Sequence, residues 1–358
     1  MSYRIVKFRF SSPFRFGRNF IDNCETGFTA DTFFSALYIE ALKSGKSEEL
    51  YRYVQNGTLL FSDAFPWYGK TLCLPKPLSA GETERQAYGS SVKKKKLKKL
   101  KYISVDDFDS YLGGTFSIEN YSDPVASHIR QYLKVNAAVR GNEETLPYRI
   151  RLCEFSGTSG AGAYNSADNT CSAGYSSGTA ACDKAERKTG DSAKESDEAE
   201  AGFCSFDSGL YIIVKCSEGS AEEMFRELLS YLSFSGIGGK RSSGCGRFKF
   251  EILDAPVPLA ARLDSTRGKV MSLSISLPED SELEKALEGG AYTVVKRSGF
   301  IASETFASQQ MKKKDLYMLK SGSCFNTTFR GSVRNVACRG GSHPVFRYGK
   351  PIFLGIDS

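Results

Sequence analysis

The chain has 358 residues, 41% of them hydrophobic, a formal net charge of +7 and a pI of about 8.8. That length holds two domains with real cores, and the absence of any apolar run near ~20 residues excludes membrane-spanning helices. The basic bias suits a nucleic-acid partner, whereas ten cysteines without a C-x-x-C pair, beside only His128 and His343, argue against a zinc site.

Tyr3–Phe10 alternates, with Val6, Phe8 and Phe10 on one face and Arg4, Lys7 and Arg9 mostly on the other, as in a half-buried strand. It begins at the N-terminus, which reads as a strand rather than a secretory signal, so a cytoplasmic protein with reduced thiols is expected. The following loop, Ser11–Asn19, interleaves Arg15 and Arg18 with Phe14 and Phe16. Such a loop suits single-stranded RNA, where phosphates meet cations and bases stack, although the phenylalanines fit a core equally well.

Thr29 reads as an N-cap for a helix carrying Phe34, Leu37, Tyr38, Ala41 and Leu42, stopped by Lys43-Ser44-Gly45. Asp31 favours the helix dipole and is expected to be structural, not a nuclease carboxylate. Thr58–Phe61 predicts a short strand, and the single tryptophan, Trp67 in Asp63–Tyr68, a core plug. Lys93–Lys101 holds seven lysines around Leu97 and Leu100, a solvated helix face or mobile arm with nonspecific attraction for RNA. Asp106, Asp107 and Asp109 are expected at the surface.

Tyr148–Phe155 and Leu210–Cys216 predict strands. The Gly/Ser/Ala-rich segment between them, Ser156–Gly202, has no periodicity and predicts a disordered hairpin insertion. Ser220 and Glu223 form a capping-box pattern before a helix with Phe225, Leu228, Leu229 and Leu232. Phe248, Phe250 and Ile252 then alternate with charges as a further strand.

Between that helix and that strand lies Gly236–Phe248, with five glycines, three cations and two serines in thirteen residues. Glycines permit positive φ and close backbone approach, and exposed amides with Lys, Arg and Ser bind anions, so the loop predicts a phosphate-chain site. A Walker loop is rejected, because Phe234 stands where it needs glycine and Arg241 where it needs Ser or Thr. A dinucleotide fingerprint follows a strand and opens a helix, the reverse of this order.

The run G-x-G-G-K-R-S-x-G-x-G-R-F resembles the signature loop of the RAMP superfamily of CRISPR RNA-binding proteins. With Phe28–Leu37, Asp63–Pro66, Leu74–Pro77 and Lys269–Leu273, the chain is similar from about Tyr3 to Phe353 to the fourth Csm subunit, a Cas5-group family of type III-A complexes. The element order fits an α+β fold with a ferredoxin-like (RRM-like) βαββαβ unit over residues 1–255, containing the 156–202 insertion. Residues 256–267 are expected as a linker, opened by the proline-rich Asp254–Pro258. Over 268–358, Met271, Leu273, Ile275 and Leu277 alternate with serines, and Tyr292–Val295, Thr328–Val336 and Pro351–Ile356 predict strands. There the resemblance implies a second, degenerate ferredoxin-like domain.

The resemblance further implies a noncatalytic subunit that binds the 5′ handle of crRNA. Its partners would be the large polymerase-like Csm subunit, a backbone RAMP subunit and, indirectly, target RNA, with no cofactor, metal or membrane. RNA contacts would come from Arg15, Phe16, Arg18, Ser35, Gly236, Gly238, Gly239, Lys240, Arg241, Ser242, Ser243, Gly244, Gly246 and Arg247, and from Lys296 and Arg297 in Lys296–Phe300. Lys312–Lys314 fits an ordinary surface equally well. The alternative is a RAMP endoribonuclease that processes precursor crRNA, whose metal-free chemistry needs a histidine base. Neither histidine is near the glycine loop in sequence. A general RNA chaperone would share the basic surface but not the paired motifs.

Overall fold

The first strand, β1 (Ser2–Phe10), buries Val6, Phe8 and Phe10 on one side as the alternation predicts, but Ile5 on the other side is buried as well. Both faces of the sheet are therefore covered in the computed structural model, which describes residues 2–17, 23–78, 91–118, 121, 128–138, 145–155, 207–303 and 305–357. The expected Ser156–Gly202 insertion lies outside the described residues.

Helices α1 (Ala30–Lys43) and α2 (Ser47–Asn56) follow, then β2 (Leu59–Phe61), β3 (Phe65–Tyr68) and β4 (Thr71–Pro75). Next come α3 (Ser91–Lys99), β5 (Tyr102–Ser104), α4 (Val105–Leu112), and a separate ribbon of β6 (Ile129–Ala138) and β7 (Leu146–Phe155). β8 (Ser208–Cys216), α5 (Gly219–Ser235) and β9 (Phe248–Asp254) complete this part. The main sheet is antiparallel in the order β5-β4-β3-β8-β1-β9, with β2 also pairing with β8. Phe33, Leu37, Leu50, Phe225 and Leu229 of α1, α2 and α5 cover one face. Trp67, Tyr211 and Ile213 look to the other, where Leu97 of α3 and Phe108 and Tyr111 of α4 close over them. Trp67 is a core plug, its indole N–H donating to the Leu210 carbonyl at 3.0 Å.

Two caps differ from their sequence patterns. α5 starts at Gly219, and Ser220 makes no cap; its hydroxyl meets that of Tyr53 on α2 at 2.9 Å, so a tertiary bond displaces the capping box. At α1, Thr29 holds the extended cap conformation, but its hydroxyl donates to Asp31 while Asp63 accepts the Ala30 amide at 2.8 Å. On α3, Leu97 is buried and Lys95, Lys96, Lys98 and Lys99 are exposed, a solvated basic face.

The stretch expected as a linker folds as α6 (Val257–Asp264), because Leu259 and Leu263, one turn apart, bury together behind the prolines. Beyond it lie β10 (Val270–Ser272), α7 (Leu283–Leu287), β11 (Val294–Arg297), β12 (Leu316–Leu319), β13 (Cys324–Phe325), β14 (Ser332–Asn335), β15 (Phe346–Gly349) and β16 (Phe353–Gly355). They form three small antiparallel sheets, β13-β10-β16, β11-β12 and β14-β15. The serines that alternate with Met271, Leu273 and Ile275 are buried too, because this segment is covered on both sides. Ser274 donates to the Phe61 carbonyl at 2.8 Å, and the Ile275 amide to Asp63 at 2.9 Å. Met318 and Tyr348 enter the helix-side core and Leu273 and Leu354 the opposite one, so the two halves share their cores.

Candidate nucleic-acid interface

Helix α5 ends where Gly236 takes φ +77°, and the chain reverses through one 3₁₀ turn at Arg241–Ser243 before entering β9. This loop is held from behind by the segment that follows β1. The Gly246 amide donates to the Pro13 carbonyl at 2.9 Å, the Gly239 amide to the Arg15 carbonyl at 2.8 Å, and the Arg247 amide to the Ser12 hydroxyl at 3.0 Å. Ile237 is buried and its amide donates to the Gly246 carbonyl, pinching the loop at its base.

The glycines are required by the protein itself. Gly238 has φ +98°, and a Cβ there would stand 2.6 Å from the Arg15 carbonyl oxygen; at Gly246, φ +79°, it would collide with the Ile237 carbonyl. Gly239 has ordinary φ, and a Cβ there would meet the Arg15 side chain at 3.4 Å and the Arg15 carbonyl oxygen at 3.6 Å, ordinary contacts at most slightly tight. These bonds turn the amides of Ile237, Gly239, Gly246 and Arg247 inward. Among the described residues, the amides of Gly238, Lys240, Arg241 and Ser242 donate to no backbone carbonyl.

The loop's cations are treated differently. Arg247 is exposed and Arg241 half-exposed, and neither forms an ion pair among the described residues; Ser242 and Ser243 are exposed beside them. Lys240 is the one non-glycine residue with positive φ among the described residues, at +61°. Its ammonium donates to the Tyr148 hydroxyl at 2.6 Å and sits 4.9 Å from the centre of that ring. Tyr148 belongs to β7, and the same side of the β6–β7 ribbon packs Ile150 and Leu152 on Cys245. Burial pushes the Cys245 thiol up, against the opposing pull of Lys134 on the ribbon and Lys240 on the loop. Arg130, Lys134 and Arg149 stand exposed on the ribbon. The strand predicted over Tyr148–Phe155 carries no RNA residue in the sequence pattern, although Tyr148, Ile150 and Leu152 alternate with Arg149 and Arg151, a signal for a basic face.

Among the other expected RNA residues, Phe16 is buried, stacked on Phe14 at 4.8 Å and set edge-on to Phe28. It is a core residue, because the loop before α1 folds inward to seal the sheet end, and its ring is closed to RNA bases in this conformation. Arg15 lies behind the glycine loop, and Arg18 lies outside the described residues. Ser35, half-buried, donates to the Asp31 carbonyl at 2.8 Å. Lys296 and Arg297 point to opposite sides of β11. Lys296 is exposed and pairs with Asp315 at 2.7 Å. Arg297 turns inward and grips Asp31 through bonds of 3.0 and 2.8 Å, so its guanidinium is withdrawn from any RNA on the outer face.

Asp31 is 1% exposed and also accepts from Arg347 at 2.6 Å. Burial pushes its pKa up, but the two arginines outweigh burial and hold it below the ordinary carboxylate value. Asp31 is structural, as expected, though through these ion pairs more than through the helix dipole. Both histidines pack on rings: His128 stacks on Tyr68 at 5.3 Å, and His343 meets Phe306 edge-on while its Nε2 lies 2.9 Å from the Ser303 hydroxyl.

Three comparisons with known proteins agree. Residues 265–356 match the family model described as the CRISPR Csm4 C-terminal domain. A curated protein of Mycobacterium tuberculosis, "CRISPR system Cms protein Csm4", is 29% identical over 99% of this chain and 98% of its own length. The Streptococcus thermophilus protein of the same name is 29% identical over the whole of both chains. Among solved structures, a chain of the Csm3–Csm4 subcomplex of the type III-A CRISPR-Cas interference complex superposes with a TM-score of 0.61, at 16% identity and full coverage of both chains. A chain of a Csm1–Csm4 cassette in complex with cA4 gives 0.54 at 17% identity, covering 100% of this chain and 98% of the other.

Proposed function

We propose that this chain is a member of the Csm4 family and, on that premise, the noncatalytic subunit of a type III-A CRISPR (Csm) interference complex that binds the crRNA 5′ handle. One observation carries the proposal. The Gly236–Phe248 loop is anchored from behind by its glycines and inward amides, while Arg241, Ser242, Ser243 and Arg247 face solvent beside a basic ribbon. A rigid turn presenting cations and hydroxyls binds a bent phosphate chain without first ordering itself. Strand order supports the expected ferredoxin-like unit: β3, β8, β1 and β9 stand in the positions of strands two, three, one and four.

By analogy with the solved assemblies, the partners are a Csm3 backbone subunit and the large Csm1 subunit, and target RNA is met through them. The noncatalytic reading is supported by His128 and His343, whose rings pack against aromatic side chains instead of opening on the glycine loop. No helix among the described residues is long and apolar enough to cross a membrane.

The test is RNA binding by a variant with Lys240, Arg241 and Arg247 all changed to Ala. Each lost phosphate contact lowers the log–log salt slope by about 0.7 on a single strand. Unchanged handle affinity and slope in a folded protein would defeat the assignment. Site-specific cleavage of precursor crRNA, abolished by His128→Ala or His343→Ala, would instead establish the endoribonuclease.

A further inference from the structure

The outer face of the β11–β12 ribbon pairs cations with aromatics across its strands. Lys296 stands opposite Tyr317, and an isolated bridge sets Phe300 opposite Lys312. Cross-strand partners share a face. Tyr317 is 65% and Phe300 54% exposed, and the Lys312 ammonium lies 5.7 Å from the Phe300 ring centre. The first rung lies within the ribbon and the second just beyond its end, past Gly299 with φ +138°.

We propose that this face is a second single-stranded RNA contact, on which bases stack against Phe300 and Tyr317 while Lys296 and Lys312 meet the phosphates. The inference rests on the handle-binding role of the glycine loop, which it extends. Charge selects nucleic acid over an apolar protein partner. Asp315 on this face is matched by Lys296, and beneath it Arg297, Arg347 and Lys313 surround the single carboxylate of Asp31, an excess of positive charge. Position joins the two sites. Arg297 donates to Thr29, Phe28 packs on Phe16 at 5.3 Å, and Phe16 lies directly behind Gly238. The ribbon and the glycine loop thus flank one turn, residues 28–31. The Arg297–Asp31 ion pair holds the ribbon still, so stacking meets a preformed platform.

The experiment uses the full chain at low salt with a fluorescein-labelled oligouridylate of about twelve nucleotides, and the same oligonucleotide carrying 5-iodouracil for photocrosslinking. Removing a stacking ring costs roughly five- to a hundredfold in affinity per base. Phe300→Ala and Tyr317→Ala are expected to weaken binding by that order with the salt slope unchanged, and Tyr317→Phe to bind like wild type. Crosslinks should fall at Phe300 or Tyr317. Both rings are exposed, so thermal melting should match wild type. If the alanine variants bind like wild type and no crosslink maps to 292–317, the platform is refuted, while loss of binding in the Lys240/Arg241/Arg247 variant would leave the handle site standing. If the alanine variants lose only co-purification with protein subunits, the face is a protein interface and the inference falls. If the wild-type chain itself shows no affinity for the oligouridylate, the platform falls, while the handle reading stands or falls on the handle RNA titration.

Discussion

Arg297 separates a structural from an RNA-binding reading in one perturbation. Asp31 is buried and accepts from Arg297 at 3.0 and 2.8 Å and from Arg347 at 2.6 Å, so it compensates two guanidiniums. Asp31→Ala leaves both uncompensated, and breaking a buried pair from one side costs about 3–5 kcal/mol. Arg297→Met is milder, roughly 1–3 kcal/mol, because Arg347 still neutralises the carboxylate and Arg297 itself is 16% exposed. Denaturant titration reads both losses as a lowered midpoint at constant slope. Handle RNA titrated against salt should show Arg297→Met with the wild-type slope, since that charge is already spent on Asp31. The reasoning is refuted if Asp31→Ala costs under about 1 kcal/mol, or if Arg297→Met flattens the salt slope by about 0.7 at unchanged stability.

Other perturbations probe separate parts of the structure. Burial pushes Asp63 up to about 6 against the amide bonds from Ala30 and Ile275, so its protonated form stabilises the fold. That contribution is full below pH ~4 and lost as pH rises through about 6; relative to Asp63→Asn, wild-type stability should fall by about 3 kcal/mol across that window, and equal pH profiles would refute it. Burial pulls Lys313 down to about 8, so charging it costs stability at neutral pH; Lys313→Met should gain at pH 7 and lose that advantage as pH rises from about 8 to 10.4, measured by urea midpoints. Gly246→Ala should cost about 1–3 kcal/mol from its positive φ and the Ile237 carbonyl, whereas Gly239→Ala should fold normally and any defect appear only in RNA affinity, as melting curves beside binding curves will show. Tyr148→Phe removes one hydroxyl partner of Lys240 and should cost about 1 kcal/mol in stability with the salt slope kept, whereas a changed slope would mean that Tyr148 aims Lys240 at RNA.

Periodicity and turn chemistry alone located β1, α1, α5, β9 and the glycine loop between the last two, because each is a local pattern: alternation, a 3.6-residue stripe, a cluster of glycines. The same patterns could not tell which side of the loop its glycines serve. Gly238 and Gly246 are required by the Arg15 and Ile237 carbonyls, groups that only folding brings there. Likewise Phe16 and Phe14 read alike as core or stacking residues, and the inward fold of their loop buried both. Lys296 and Arg297 looked equivalent as adjacent cations, yet a strand sends neighbours to opposite faces, and Asp31, 266 residues away, claimed one of them. The proline-rich stretch after β9 resembled a linker until Leu259 and Leu263 found a surface to bury against. Composition and spacing thus determine elements and the chemistry they carry; which charges remain available to a ligand depends on long-range partners, and these exist only once the chain has folded.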